Sequence, residues 1–226
     1  QQPGIFLLRP STGRIIARLR PLQASGAQAL GAGAAQGREP SGTSISIPDG
    51  WPFHPGDEIP GTPAFADVDA DGAIETIFAT RSGWVWVLGR GGLPLSGWPA
   101  SIKETTSGGV CATDIDGDDR LEVILGDLTG GIHALRADGT PVLCWPSRFP
   151  GSPELPAIEG PIASADLDGD GANEIVVCQA VGRVCVFRAD GRPVPGWPVA
   201  IAAAEDPPNA GTIFARPALG DIDGDG

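Results

Sequence analysis

One acidic motif recurs four times along the chain and limits its fold more than any other feature. The copies begin at Asp67 (DVDADGAIE), Asp114 (DIDGDDRLE), Asp166 (DLDGDGANE) and Asp221 (DIDGDG). Each copy places carboxylates at loop positions 1, 3 and 5, and the three complete copies add a glutamate at position 9. Carboxylates at alternate positions can converge on one point only if the backbone curls around that point. The motif therefore predicts a tightly curled loop in every repeat.

The spacing of these carboxylates favours calcium as the bound ion. Ca²⁺ takes roughly six to eight oxygen ligands and tolerates irregular geometry, whereas Mg²⁺ requires a tighter octahedron. Position 6 needs a left-handed backbone, which Gly adopts without steric cost and which Asp119 of the second copy tolerates better than most residues would. The predicted side-chain ligands are Asp67, Asp69, Asp71 and Glu75; Asp114, Asp116, Asp118 and Glu122; Asp166, Asp168, Asp170 and Glu174; and, in the incomplete fourth loop, Asp221, Asp223 and Asp225. The predicted carbonyl ligands, at position 7, are Ala73, Arg120 and Ala172.

An EF-hand or dockerin loop is the obvious alternative to this interpretation. Such a loop requires an acidic ligand at position 12 and flanking helices. Position 12 here is Phe78, Leu125 or Val177, and the residues after each glutamate form short apolar runs typical of strands (TIFAT, VILGD, IVVCQ). The motif thus predicts a nine-residue loop that joins two strands. An acidic, solvated turn without metal is the remaining alternative.

A hairpin that ends in Trp-Pro is the second repeated feature. It occupies residues 85–99, 132–146 and 184–198, with Gly-Gly or Asp-Gly at the positions where tight hairpin turns require positive φ. Residues 5–20 have the same pattern around a turn at Ser11-Thr12-Gly13. The four pairs, which begin at Trp51, Trp98, Trp145 and Trp197, are predicted to be packing anchors between repeats rather than ligand-stacking residues.

The order of these features defines the repeat. Gly83, Gly130 and Gly182 align and predict a further tight turn, and one more short strand precedes each acidic loop. Every repeat is then strand, acidic loop, strand, tight turn, strand, second turn, strand, and the repeats are 47, 52 and 55 residues long. Four antiparallel strands in a repeat of this length are typical of propeller blades, whose faces are buried only by neighbouring blades. We therefore predict an all-β chain, a β-propeller of four-stranded antiparallel blades.

The predicted organisation is three complete blades with partial blades on either side. Because the two partial blades together lack one strand, we expect either a longer native polypeptide or a strand supplied by another chain. The predicted segments are a half blade at 1–20, a Gly- and Ala-rich insertion at 21–49, blades at 50–100, 101–148 and 149–200, and the first strand and loop of a further blade at 201–226.

Residues 60–226 resemble the FG-GAP and VCBS repeats of integrin-like and secreted bacterial proteins, in which DxDxDGxxE loops join the first two strands of propeller blades. The resemblance rests on the loop, the apolar strand after it and the terminal Gly-Trp-Pro. It implies adhesion or carbohydrate recognition, with a glycan or an extracellular protein as the partner. The second loop departs from the family pattern at Asp119, and the fourth loop lacks its glutamate.

The acidity of the chain is concentrated in the predicted loops. The formal net charge is −13, and 16 of the 28 acidic residues lie in the four loops. Outside the loops there are 12 acidic residues and 15 Lys and Arg, so the rest of the surface is near neutral. Because the sequence has no basic stripe with interleaved aromatic residues, we expect no nucleic-acid partner.

The sequence also indicates where the protein is located relative to the cell. No apolar run approaches the roughly 18 residues of a membrane span. The chain begins with Gln and contains no Met, which indicates a removed leader or a trimmed chain. Calcium loops of this type suit compartments with millimolar calcium, so we expect a secreted or cell-surface protein.

No catalytic constellation can be assembled from the sequence, so a non-enzymatic binding module is predicted. His54 and His133 stand alone, and no Ser-His-Asp spacing, CxxC pair or phosphate-binding Gly loop occurs. Two alternatives remain, a calcium-loop polysaccharide lyase, as some similar propellers are, and a self-assembling structural subunit.

The predicted binding surface is the face opposite the acidic loops. It is built from the tight turns and from the variable connections, with four weak candidate residues: Trp84, Arg81, Arg183 and Lys103. The variable connections are 53–63, 100–110, 147–162 and 199–214.

The four cysteines allow three disulfide pairings. If a two-residue turn joins their strands, Cys178 opposes Cys185, and a cross-strand disulfide there is one alternative. The other alternative is that Cys178 and Cys185 are small apolar residues of the core. Cys111 and Cys144 belong to the first and last strands of one blade, and we expect them to be buried thiols.

Overall fold

The computed structural model describes residues 5–8, 15–19, 50–145, 147–148, 157–180, 182–200 and 217–221. Within these ranges the chain consists of strands, turns and irregular segments, with no helix long and apolar enough to cross a membrane. The predicted insertion 21–49, the turn at 11–13, the ligands Asp223 and Asp225 and most of the connections 147–162 and 199–214 lie outside the described residues.

Fourteen strands are found in the part of the chain that the structure describes. They are β1 (Ile5–Leu8), β2 (Ile15–Leu19), β3 (Ala64–Ala66), β4 (Glu75–Ala79), β5 (Trp84–Leu88), β6 (Ala100–Ser101), β7 (Val110–Thr113), β8 (Glu122–Gly126), β9 (Gly131–Leu135), β10 (Ser147–Arg148), β11 (Ala163–Ala165), β12 (Glu174–Gln179), β13 (Arg183–Phe187) and β14 (Val199–Ala200).

Twelve of these strands form three four-stranded antiparallel sheets of identical order. Sheet one is β3-β4-β5-β6, sheet two is β7-β8-β9-β10 and sheet three is β11-β12-β13-β14, while β1 and β2 form an antiparallel hairpin. Each sheet runs in chain order, so neighbouring strands are joined by short turns. Within the described residues, the predictions of all-β structure and of four antiparallel strands in each of the three complete repeats are confirmed.

An apolar core lies between sheets one and two. Sheet one contributes Ile77, Val85 and Val87, and sheet two contributes Val123 and Leu125. All five side chains are buried. Burial of one such side chain stabilises a fold by about 1.5–3 kcal/mol, so this core holds the two sheets together.

A second core lies between sheets two and three. Ile124 and Ile132 of sheet two pack there with Val177, Cys185 and Phe187 of sheet three. Successive strand residues point to opposite faces of a sheet. Sheet two therefore presents Val123 and Leu125 to one neighbour and Ile124 to the other, which explains the continuous apolar runs in the sequence.

The tryptophan of one repeat is hydrogen-bonded to the turn of the next. Trp98 Nε1 donates to Ala137 O at 2.8 Å, and Trp145 Nε1 donates to Ala189 O at 3.1 Å. Both indoles are buried. The prediction that these tryptophans anchor one repeat to the next is confirmed.

The residue before each tryptophan lies close to the neighbouring turn. Gly97 has a φ of 89°, and a Cβ atom there would lie only 2.0 Å from Asp138 O. Gly is therefore required at this position by both backbone conformation and space. In the next repeat Cys144 takes the equivalent place with a φ of 73°, which a non-glycine residue rarely adopts.

Of the two alternatives for Cys178 and Cys185, the cross-strand disulfide is wrong, and both residues occupy buried core positions. In the observed register Cys178 pairs with Val184 and Val177 pairs with Cys185, because three residues rather than two separate the paired Gln179 and Arg183. An offset of one residue places the two side chains on opposite faces of the sheet. None of the four cysteines forms a disulfide bond within the described part of the chain.

The predicted burial of the other two thiols is also wrong. Cys144 is exposed, and Cys111 is only partly buried. Cys144 occupies the turn position where the other repeats have glycine, which explains its exposure.

We expect Trp98→Phe to lower the free energy of unfolding by about 1–2 kcal/mol. The substitution removes the hydrogen bond to Ala137 O and leaves that carbonyl without its donor. Urea denaturation at constant pH measures the effect. Trp84→Phe is the matched control, since Trp84 is 45% exposed and its loss should cost less than about 0.5 kcal/mol. Equal effects of the two substitutions would contradict an anchoring role.

The thiols should differ in reactivity toward an aromatic disulfide reagent. Burial raises the pKa of Cys178 to about 11 and that of Cys185 to about 12, so both should react slowly in the native protein. Cys144 should react first because it is exposed. In denaturant without reductant all four thiols should react with the reagent. Reaction of only two thiols would contradict the absence of disulfide bonds.

Candidate metal centre

Each complete acidic loop joins the first and second strands of its sheet. Residues 67–74 connect β3 to β4, residues 114–121 connect β7 to β8, and residues 166–173 connect β11 to β12. The three loops therefore lie at the same corner of three equivalent sheets. The predicted placement of the loops between strands is confirmed.

The first aspartate of each loop holds the backbone in its curl. Asp114 Oδ1 accepts from Gly117 N at 2.7 Å, and Asp114 Oδ2 accepts from Asp119 N at 2.9 Å. Asp166 makes the corresponding two bonds in its own loop. Asp67 Oδ2 likewise accepts from the N of position 6, but its Oδ1 accepts from the N of position 5, Asp71. A side chain that accepts two or more backbone N–H bonds fixes a loop without help from secondary structure.

The aspartate at position 5 adds a second clamp. Its Oδ1 accepts from the backbone N of position 7 in every complete loop, at 2.7 to 2.9 Å. The donors are Ala73, Arg120 and Ala172. These residues were predicted as carbonyl ligands, and that role stays a prediction.

Two positions in each of the three complete loops have a left-handed backbone. Position 6 was predicted to do so, and Asp119 indeed has a φ of 64° there. Position 4 was missed. It is left-handed too, as Ala70 with a φ of 60° and Gly117 with a φ of 76° show. Glycine at position 4 of the second and third loops was the available signal.

The glutamate at position 9 is the most buried acidic residue of each complete loop. Glu75, Glu122 and Glu174 are only 1%, 2% and 3% exposed. In each, Oε2 accepts from the backbone N of loop position 2, at 2.9 to 3.1 Å. This bond ties the start of the second strand to the start of the loop.

The loops bring at least three carboxylates together. One oxygen each from Asp114, Asp116 and Glu122 lies within 4.8 Å of the others, and Asp166, Asp168 and Glu174 form the same group. In the first loop the group consists instead of Asp67, Asp69 and Asp71. Position 5 of the second and third loops, Asp118 and Asp170, lies outside those groups. Of the fourth loop, only the exposed Asp221 is described.

The buried glutamates carry a large electrostatic cost. Burial raises the pKa of Glu122 to about 7, against the effect of the bond from Ile115 N, and the neighbouring aspartates raise it further. Burial raises the pKa of Glu75 and Glu174 in the same way. A divalent cation would offset this repulsion. Because every side-chain donor is a carboxylate oxygen, the loops fit a hard cation such as Ca²⁺ rather than a thiophilic metal.

A buried polar pair in sheet two was not predicted from the sequence, where His133 was taken to stand alone. His133 Nε2 lies 2.7 Å from Asp127 Oδ2 across the tight turn between β8 and β9. Asp127 Oδ1 also accepts from Thr129 N and Gly131 N, at 2.7 and 2.8 Å. Aspartate and histidine on either side of a five-residue turn were the available signal.

A related interaction closes the tight turn of sheet one. Asp57 Oδ2 accepts from Ser82 N at 3.0 Å and from Ser82 Oγ at 2.5 Å. These bonds hold the pKa of Asp57 well below its usual range. Next to it, Arg81 Nε donates to Glu58 Oε2 at 2.6 Å. The carboxylate that accepts the hydrogen bonds of this turn, Asp57, thus comes from the connection that precedes sheet one. In sheet two the accepting carboxylate, Asp127, lies within the hairpin itself.

Asp127→Asn should lower the free energy of unfolding at pH 7 by about 2–4 kcal/mol, because a buried acceptor of several bonds becomes in part a donor. Although burial acts to raise the pKa of Asp127, the bonds from His133, Gly131 and Thr129 outweigh it and lower the pKa. The carboxylate therefore stabilises the fold above its unfolded pKa of about 4 and ceases to do so as the pH falls through the lowered value.

Urea denaturation of wild type and variant between pH 7 and pH 3 measures this dependence. The difference in the free energy of unfolding between wild type and Asp127→Asn should become smaller as the pH approaches 3. Asp138→Asn is the control, since Asp138 is an exposed turn residue whose pKa is also lowered, by bonds from Thr140. A pH-independent difference for Asp127→Asn would contradict the assignment.

Comparison with known proteins gives distant structural likeness and no family. No protein-family model matches the chain, and no curated protein matches it. BamB from Moraxella catarrhalis is similar over 66% of this chain and 38% of its own, with 18% identity and a TM-score of 0.46. BBS1N, solved in complex with ARL6DN and soaked with lead, is similar over 61% of this chain and 42% of its own, with 15% identity and a TM-score of 0.43.

The V. cholerae biofilm matrix protein Bap1 is a further similar structure. The likeness covers 61% of this chain and 28% of Bap1, with 19% identity and a TM-score of 0.32. This chain thus spans less than half the length of each of these three structures. None of these likenesses assigns a function.

Proposed function

We propose that the chain is a calcium-stabilised β-propeller module, in which the three four-stranded sheets are consecutive blades. Three features support the proposal. The sheets share one strand order, adjacent sheets share an apolar core, and the tryptophan of one sheet bonds to the turn of the next. A repeat that packs only against its neighbours can extend around a ring.

The observation that carries the calcium assignment is the buried glutamate at the end of every complete loop. In the second and third loops an oxygen of this glutamate lies within 4.8 Å of carboxylate oxygens at positions 1 and 3. A buried carboxylate that lies beside other carboxylates is costly unless a cation is present. The aspartates at positions 1, 3 and 5 with Glu75, Glu122 or Glu174 would hold the ion. When bound, it supplies charge neutralisation and rigidity, and the residues themselves position the turn between the first two strands.

Calcium should raise the midpoint of thermal unfolding, because an ion that binds only the folded state stabilises it by about 2.7 kcal/mol at a hundred times its dissociation constant. Scanning calorimetry of chelated protein against added Ca²⁺ measures the shift. Glu122→Gln should reduce the calcium-dependent shift, since one loop loses a buried anionic oxygen. A bound-ion count by mass spectrometry under native conditions gives a second measurement.

Glu58→Gln is the matched control for this experiment. Glu58 is exposed and paired with Arg81, away from the acidic loops, so its substitution should leave the calcium-dependent shift unchanged. Mg²⁺ at equal concentration should give a smaller shift. An unchanged midpoint on adding Ca²⁺ would contradict the proposal.

The module is proposed to act by binding a glycan or an extracellular protein, in a secreted or cell-surface setting. The surface best suited to this role is the tight-turn end of sheet one, opposite the acidic loops. Exposed apolar side chains there, Trp84 and Ile59, accompany the ion pair between Arg81 and Glu58. An exposed indole with charged neighbours can stack on a sugar ring or fill a pocket of a protein partner.

Trp84→Ala should abolish binding to the ligand while leaving thermal stability nearly unchanged. An array of immobilised glycans, probed with and without chelator, tests the glycan form. Leu143→Ala is the control, since Leu143 is another exposed apolar residue but lies at the second turn of sheet two. Absence of binding to every immobilised sugar in the presence of calcium would contradict the glycan form of the proposal.

A further inference from the structure

The acidic loops of sheets two and three are joined by hydrogen bonds, and one side chain makes the link. Asn173 Nδ2 donates to Thr113 Oγ1 at 3.0 Å and to Asp114 O at 3.2 Å. Ser164 Oγ lies 3.0 Å from the same Thr113 hydroxyl. A polar contact thus runs from the third acidic loop to the start of the second, across the interface between the two sheets.

Asn173 occupies position 8 of the third loop, between two candidate ligands. Ala172 precedes it as a predicted carbonyl ligand, and Glu174 follows it as the buried glutamate of position 9. Ala172 N also donates to Asp170 Oδ1 at 2.9 Å, so a third candidate ligand holds the backbone beside Asn173. Any constraint on this loop therefore also fixes the backbone from which the Asn173 side chain extends.

The two acceptors of Asn173 lie at the corresponding part of the second loop. Asp114 is position 1, the aspartate whose side chain accepts from backbone N–H groups and holds the loop in its curl. Thr113 is buried and is paired in the sheet with Glu122, the glutamate of position 9. One amide group therefore contacts the residue that begins the second loop and the residue that lies opposite its end.

The equivalent side chains between the first and second loops are apolar. Position 8 of the second loop is Leu121, and the residue before the first loop is Ala66, so neither side chain can donate or accept a hydrogen bond. Strands β3 and β7 nevertheless lie beside each other, as β7 and β11 do. The interface between sheets one and two is thus an internal comparison that lacks this side-chain link.

A shared side chain of this kind makes the order of one loop depend on the order of the other. Loss of conformational freedom is the main cost of holding a loop in one shape, and a loop whose neighbour is already fixed has less freedom to lose. The Asn173 amide makes both of its bonds only while its own backbone and Asp114 are in place. Fixing either loop therefore lowers the cost of fixing the other.

We propose that Asn173 couples calcium binding at the second and third loops, so that occupancy of one raises the affinity of the other. The first loop binds independently. The inference rests on the calcium-stabilised module proposed above and adds how its sites communicate. Coupling between two sites is reciprocal and typically changes affinity by about 5-fold to 150-fold. Because a single amide carries the link, we expect a factor near the lower end, about fivefold.

Amide NMR spectra of the full chain, recorded as Ca²⁺ is added, follow each loop separately. Gly72 N, Gly117 N and Gly171 N each donate to the first aspartate of their own loop. Their resonances therefore report the first, second and third loops in that order. The quantity compared between variants is the calcium concentration at which each resonance has completed half of its change.

Glu174→Gln weakens the third loop and should raise the half-change concentration at Gly117 by about fivefold, with no change at Gly72. In the Asn173→Leu background, which copies Leu121 of the second loop, Glu174→Gln should leave Gly117 unchanged. Asn173→Ala removes the same two bonds with a smaller side chain and serves in place of leucine if that variant does not fold.

Glu75→Gln is the matched control, because it weakens the first loop, whose neighbouring side chains Ala66 and Leu121 form no such bond. It should leave Gly117 unchanged. The reciprocal substitution, Glu122→Gln, should raise the half-change concentration at Gly171. An equal effect of Glu75→Gln at Gly117, or no effect of Glu122→Gln at Gly171, would overturn the coupling.

The outcomes separate this inference from the proposed function. If all three glycines respond to Ca²⁺ but Glu174→Gln leaves Gly117 unchanged, the coupling is overturned and the calcium-stabilised module stands. A shift at Gly117 that persists in the Asn173→Leu background would overturn the role of Asn173. If none of the three glycines of the wild type responds to Ca²⁺, the proposed function and the coupling are both overturned.

Discussion

Sheet two has two apolar faces, and neither can be buried by the sheet itself. β8 contributes Val123 and Leu125 to one core and Ile124 to the other. A four-stranded sheet with this pattern is stable only between two neighbours of the same kind. The inter-sheet cores therefore determine the architecture, and the hydrogen bonds within each sheet follow from strands that are already held side by side.

The acidic loops add a second constraint at one corner of each sheet. Backbone N–H groups converge on the first aspartate, and the closing glutamate ties strand to loop from a buried position. The same curl that satisfies these bonds brings like charges together. Loop geometry and cation binding are thus linked, since the bonds that shape the loop also create the repulsion that a divalent ion would relieve.

Much of the fold follows from the sequence because recurring residues mark where each repeat begins and ends. Apolar runs, aligned glycines and Trp-Pro pairs give strand order, turn position and the direction of packing. The register of the hairpin around Cys178 and Cys185 does not follow, since two- and three-residue turns have similar sequences but place a side chain on opposite faces. The left-handed conformation of Ala70 was missed for a similar reason, because the surrounding bonds impose it on a residue with no preference for it.

As with the fold, only part of the candidate metal centre could be predicted from the sequence. The acidic positions are visible as a pattern, and their arrangement between strands was expected. The grouping of oxygens differs between the first loop and the other two, and the pair formed by Asp127 and His133 depends on a cross-strand contact. Such contacts depend on the length of a turn and on what packs above it, which are properties of the assembled sheets rather than of one segment.

The bond between an indole and the next turn has a consequence for how such a chain can change in evolution. The donor is a side chain of one repeat, but the acceptor is a backbone carbonyl, carried by Arg90, Ala137 or Ala189 without regard to residue type. A duplicated or deleted repeat would therefore find a compatible neighbour on each side without compensating substitutions. The number of repeats in a gene of this kind can drift, while the surface residues of each copy diverge independently.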